Sequence, residues 1–154
     1  MRLRLKIISF LIFLQLVISC NNNEAYQYIV GLSLYLETHQ AISVDQVKNT
    51  VFYILPLNSC MPCTESNINM LSFIPFKKEI KFLFVGTLDQ INPSIIKNIC
   101  STNRCIFDNG KIISHYETGL GKPLLIHIKN GRVYKYIYVT DSKIDEVKNY
   151  FLLL

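Results

Sequence analysis

Val51-Phe52-Tyr53-Ile54-Leu55-Pro56-Leu57-Asn58-Ser59-Cys60-Met61-Pro62-Cys63 is the stretch on which the reading of this chain turns. Its first five residues are a continuous, β-rich apolar run of the kind buried on both faces of a central strand, and Pro56 ends it. After a loop carrying Asn58, Ser59 and Cys60, apolar Ile68, Leu71 and Ile74 recur at helical spacing as far as Pro75. The spacing therefore predicts a strand leading into a helix, with Cys60-Met61-Pro62-Cys63 where the helix begins. The thiolate is the reactive form of cysteine, and the unpaired N–H groups and positive end of a helix favour it at Cys60. Cys63, one turn in, is expected to be more buried and less reactive. Pro62 suits a first turn, where its missing N–H costs nothing.

Working outward, Ile80 to Val85 reads as a second buried strand ended by Gly86, and Asn92-Pro93 opens a helix through Ile95, Ile96 and Ile99. Strand, helix, strand, helix argues for a parallel pair in an α/β sheet. The second half changes pattern. Leu124 to Ile128 and Val133 to Val139 flank Lys129-Asn130-Gly131-Arg132, a β-hairpin with an Asn-Gly turn. Alternation in the second arm places Tyr134, Tyr136 and Tyr138 on one face. Asp141 or Ser142 can cap a last helix with Ile144, Val147, Phe151 and Leu154 on one side. Upstream, Tyr26, Ile29, Val30, Leu32 and Leu36 suit a short amphipathic helix, although Tyr28, Leu34 and Tyr35 also fit a strand. The expected fold class is α/β, a βαβ unit followed by ββα around a mixed central sheet flanked by helices, with no internal repeat.

The first twenty residues, MRLRLKIISFLIFLQLVISC, read as an address: a positive start, then an apolar run from Ile7 to Ile18 broken only by Ser9 and Gln15. The run is shorter than the roughly 20 residues a membrane-spanning helix needs and stops at Asn21-Asn22-Asn23. Arg2, Arg4 and Lys6 carry three of the five net positive charges, so removing this segment leaves +2 and weakens any nucleic-acid reading. At 50% hydrophobic and 18% charged residues, the chain is too apolar for disorder. Val17-Ile18-Ser19-Cys20 resembles the lipobox of bacterial lipoproteins. The resemblance implies cleavage before Cys20, a diacylglyceryl group on its sulfur, and a periplasm-facing protein held in the cell envelope at either membrane. The alternative is an ordinary secretory signal with an incidental Cys. Val17 departs mildly from the Leu more usual there.

Setting Cys20 aside leaves two close pairs, Cys60/Cys63 and Cys100/Cys105, and an exported compartment permits disulfides. A strand, a CxPC at a helix start, a βαβ unit and a closing hairpin plus helix together resemble thioredoxin over about residues 50 to 154. With the lipobox and Phe107-Asp108-Asn109-Gly110-Lys111, the whole is similar to envelope-tethered members of the TlpA kind. This divides the chain into a signal peptide (1–19), a lipidated tether with a helical extension (20–49) and a thioredoxin-like domain (50–154). In that family a cis-proline begins the strand after the βαβ unit, and Pro123 in Gly121-Lys122-Pro123-Leu124-Leu125 matches it. The resemblance implies Cys60 as attacking thiol, Cys63 as resolving thiol, and Met61, Pro62, Lys122 and Pro123 bordering the substrate groove.

Departures from the family pattern are clear. Ser59 stands where a Trp is common, Met61-Pro62 replaces Gly-Pro, Ile54 replaces a buried acid, and Lys122 replaces a small or β-branched residue. Glu65 is the nearest acid in sequence, and as a first-turn residue it also simply complements the helix dipole.

For Cys60/Cys63 three readings stand: a redox pair, a structural disulfide, and zinc, which needs two further ligands and for which Cys100-x4-Cys105 is wider than usual. For Cys100/Cys105 a structural staple over a short loop comes first and a relay role second. His39, His115 and His127 are scattered, with His127 read as a solvent-facing or satisfied sheet residue rather than a ligand. The function expected is thiol-disulfide exchange with protein substrates, needing a redox-recycling partner and no cofactor or metal, its direction not fixed by Met-Pro. The rival is a non-enzymatic thioredoxin-fold binding or adaptor lipoprotein with a structural disulfide. A peroxidase of the redoxin group comes third, because its upstream Thr and Pro are absent.

Overall fold

The apolar run at residues 51–55 is the centre of the sheet, and both of its faces are covered. The computed structural model describes residues 26–57, 61–74, 79–89, 91–102 and 104–154. Its strands are β1 (Asn49–Pro56), β2 (Ile80–Val85), β3 (Arg104–Asp108), β4 (Leu124–Lys129) and β5 (Arg132–Tyr138), and its helices are α1 (Ile29–Gln40), α2 (Met61–Ser72), α3 (Pro93–Thr102) and α4 (Ile144–Leu153). The strands form one mixed sheet in the order β3-β2-β1-β4-β5. β1, β2 and β3 run parallel, while β4 lies antiparallel to β1 and β5 antiparallel to β4.

Alternation along β1 divides the core. Val51, Tyr53 and Leu55 join Ile68 and Leu71 of α2, Ile96 and Ile99 of α3, and Val147 and Phe151 of α4. Phe52 and Ile54 point to the opposite face and meet Leu32, Tyr35 and Leu36 of α1. All five residues from Val51 to Leu55 have no exposed surface, which is why a run without polar interruption can stand only at the sheet's centre. Each such side chain contributes roughly 1.5–3 kcal/mol of burial. The segment 26–40 is thus the cover of the second face. Gly31 makes that cover close-fitting, because a Cβ there would lie 2.2 Å from the carbonyl oxygen of Glu117.

The strands and helices anticipated around the CxPC, the helix opened by Pro93 and the helix at 29–40 are all present. Asn92 Oδ1 accepts the Ser94 N–H at 2.9 Å, closing the start of α3. At the hairpin, Asn130 and Gly131 have φ of 49° and 73°, the paired left-handed conformation of a tight Asn-Gly turn. The last helix enters through a short 3₁₀ turn over Asp141–Lys143 with no side-chain cap, rather than through the expected Asp141 or Ser142 cap.

Three expectations change. β3 was not anticipated; it is short, and as an edge strand it needs one hydrogen-bonded neighbour only, so its pattern is weak. The tyrosine row does not exist as one face. A β-bulge between His127 and Ile128 leaves Tyr134 without a register partner, so Tyr134 joins Lys135 on the α4 side while Tyr136 and Tyr138 stack with Tyr26 on the α1 side. Finally, Pro123 is not cis: no peptide bond among the described residues is. Trans is the favoured isomer by about 0.5–1 kcal/mol unless the surroundings select against it; Pro123 is buried in that form, and its carbonyl accepts the Val139 N–H at 2.7 Å.

Candidate functional site

The parallel strands all end at one edge of the sheet, and the cysteine motif follows the end of β1. Cys60 and the residues before it at 58–59 lie outside the described residues, as do Cys20 and the signal segment; of Met61 only the backbone is described, opening α2. Pro62 is exposed and Cys63 half-buried in the first turn. Cys63 is disulfide-bonded. Because Cys100 and Cys105 are bonded to each other, the partner of Cys63 lies outside the described residues.

Pairing of Ile54 with Leu124 brings Lys122 and Pro123, just before β4, to the same edge at which α2 begins. Lys122 is exposed and Pro123 buried. Glu65 is exposed as well. Ile54 lies among apolar neighbours on the α1 face.

Two hydrogen-bond groups bind this edge together. Buried Thr64 donates its hydroxyl to the Leu57 carbonyl at 3.3 Å, tying α2 to the end of β1. Tyr53 donates its hydroxyl to Asn67 Oδ1, and Asn67 Nδ2 donates to the Cys63 carbonyl at 2.6 Å. Burial raises the Tyr53 phenol above its ordinary range, keeping it a donor. Sequence reading missed this pair; the signal was a polar Asn beside Ile68 on the helix face that Leu71 and Ile74 continue.

On the other side of the edge, Asp108 at the end of β3 is buried, and its carboxylate accepts the N–H groups of Ile112 and Ile113, each at 2.8 Å. It thereby fixes the turn that follows. Burial, helped by this carboxylate, pushes the Tyr35 phenol up to about 12. The turn and the strand ends border a cleft of about 490 Å³ lined by Tyr28, Pro56, Val85, Tyr116, Glu117 and Leu120 among others. Its place at the carboxyl ends of β1 and β2 is where open α/β sheets bind ligands.

The second cysteine pair lies elsewhere. Cys100 and Cys105 are joined with their Cα atoms 5.4 Å apart, linking the end of α3 to the start of β3. Cys105 pairs with Phe82, which pairs with Tyr53. It therefore sits two strands from β1 and about 10 Å short of the edge where α2 starts, given roughly 3.3 Å per residue. That bond occupies both sulfurs, and among the described residues no three His, Cys, Asp or Glu side chains gather as metal ligands.

His127 is 1% exposed, with Nε2 on Asn49 Oδ1 at 2.7 Å and Nδ1 on the Tyr150 hydroxyl. An amide oxygen only accepts, so Nε2 carries the proton and Nδ1 accepts from Tyr150. Burial, with Lys129 adding to it, lowers the imidazole to about 4. It is a satisfied sheet residue on the α4 face. His39 bonds the Tyr116 hydroxyl at 2.8 Å. No helix among the described residues is long and apolar enough to cross a membrane. Comparison with known proteins finds no family model that matches this chain and no curated sequence significantly similar to it.

Proposed function

We propose that this chain is a thioredoxin-like thiol-disulfide oxidoreductase held in the bacterial envelope through a lipid on Cys20. The observation that carries the reading is the disulfide at Cys63 in the first turn of the helix following the central strand, at the edge where three parallel strands end. The strand order, with a parallel group on one side of β1 and an antiparallel hairpin on the other, supports the thioredoxin-like assignment. Mechanistically, the Cys60 thiolate attacks a sulfur of a substrate protein's disulfide, forming a mixed disulfide and releasing one substrate thiolate. Cys63 then attacks Cys60 in that mixed disulfide, closing the Cys60–Cys63 bond and expelling the second substrate thiolate. Two electrons leave the protein dithiol, and a recycling partner returns them. Lys122 and Pro123 border the groove at the same edge.

The trans bond at Pro123 favours a second reading, a non-enzymatic binding or adaptor lipoprotein that keeps the fold and a structural disulfide. A glutathione redox titration of the chain, with each cysteine pair read by alkylation and mass spectrometry, separates the two. Reversible exchange at Cys60/Cys63 with a potential between about −120 and −270 mV is the expected result. A pair that stays oxidised well below about −300 mV selects the binding module. The anchor is tested separately: the intact mass of the envelope form should carry diacylglyceryl on Cys20, and Cys20→Ala should abolish it.

A further inference from the structure

Tyr53 and Asn67 form a buried polar chain under the first turn of α2 for which the exchange chemistry above has no role. The Tyr53 ring packs against Phe82 and Phe151 in the core, and its hydroxyl is spent on the Asn67 amide oxygen. Asn67 is 2% exposed and spends its amide nitrogen on the Cys63 carbonyl. Burying an amide and a phenol costs free energy unless both are paired, and Asn is a weak helix former. A leucine at 67 and a phenylalanine at 53 would fill the same space without that requirement. What the polar pair adds is a link from the rigid centre of β1 to the peptide of Cys63, four residues before Asn67 in the helix.

We infer that Tyr53 and Asn67 are positioning residues that set the disulfide equilibrium of Cys63 by holding its peptide in place in both oxidation states. The inference rests on the oxidoreductase reading. When glutathione reduces the pair, two glutathione thiols give two electrons and two protons to the disulfide, yielding two cysteine thiols and one glutathione disulfide. Closing the bond again requires the Cys63 sulfur to be near its partner. A clamped first turn keeps its effective concentration high, and an unclamped one pays more conformational entropy at closure.

The test is the same glutathione titration on the full chain, comparing the wild type with Tyr53→Phe and with Tyr53→Phe/Asn67→Leu. The double variant removes both polar partners together and fills the core with apolar groups of similar shape, so stability stays close to wild type. Expected is a shift of the Cys63 pair toward the reduced form by about three- to tenfold in both variants, tenfold being about 30 mV for a two-electron couple. The Cys100–Cys105 bond, in the same molecules but away from the clamp, should keep its equilibrium within about twofold. If both pairs shift together, or the Cys63 pair does not shift, the polar pair is merely structural and the inference is overturned. If the wild-type Cys63 bond does not exchange with glutathione at all, the oxidoreductase reading fails first and takes the inference with it.

Discussion

Acid should destabilise this protein through a single imidazole. His127 is neutral in the fold, with both ring nitrogens committed to Asn49 and Tyr150 and almost no exposed surface. Its folded pKa is lowered from 6.5 to about 4. Between those values the unfolded chain binds a proton at this site that the folded chain refuses, so stability is intact above about pH 6.5, falls as pH drops through it, and levels off below about pH 4. One pKa unit corresponds to about 1.4 kcal/mol, so the full loss is about 3 kcal/mol, a large part of the roughly 5–15 kcal/mol that holds a domain together. From about pH 7.5 to about pH 5, where ordinary carboxylates are still mostly ionised, about 2 kcal/mol of this is lost. Urea unfolding monitored by circular dichroism at several pH values, disulfides intact, measures it as a falling midpoint at constant slope. In His127→Gln the loss over that interval should nearly vanish. Equal losses in the variant and the wild type would refute the assignment of a neutral, buried His127.

Three further outcomes follow from contacts in the fold. Gly31→Ala forces a Cβ to within 2.2 Å of the Glu117 carbonyl oxygen, so α1 must move off the sheet; the expected cost is about 2 kcal/mol or more in urea unfolding. Replacing Cys100 and Cys105 together by Ser opens a loop of sequence separation 5, worth about 2 kcal/mol of unfolded-state entropy, and should lower the denaturation midpoint while leaving the Cys63 disulfide formed. Asp108→Ala leaves the buried N–H of Ile113 unpaired and that of Ile112 to solvent, and should cost about 1–3 kcal/mol, with amide hydrogen exchange accelerated at those two residues.

Much of the architecture was legible because burial on both faces leaves a plain mark. Residues 51–55 and 80–85 read as strands since every position but Lys81 is apolar and buried, and Asn130-Gly131 read as a turn since few other residues accept two successive positive φ values. What stayed hidden depends on partners distant in sequence. The strand Arg104–Asp108 has an unpaired edge and exposes Phe107 by 43%, so its residues carry little periodic constraint. Alternation cannot show a bulge, so Tyr134 was placed on the wrong face. His127 becomes buried only because Tyr150 and Asn49 meet it from another helix and another strand. The cis bond expected at Pro123 came from the resemblance alone, and the bond keeps the trans form that X-Pro bonds favour intrinsically. At the site, the motif Cys60 to Cys63 was visible from spacing alone, whereas the Tyr53–Asn67 link needed the register of helix on strand.

The cover supplied by α1 also governs the order in which the chain can fold. The Tyr26 hydroxyl donates to the Thr118 carbonyl, 92 residues away in sequence, and the Tyr26 ring packs on Tyr136 and Tyr138 of the last strand. The first described residues therefore wait for nearly the last before they find their partners. Contacts so far apart in sequence slow folding, because the loop must close before the contacts reward it. Until β4 and β5 have been delivered, β1 lacks its antiparallel neighbour and Tyr26 lacks its partners, so a chain emerging from its amino terminus stays unfinished, and open to aggregation, almost to its end.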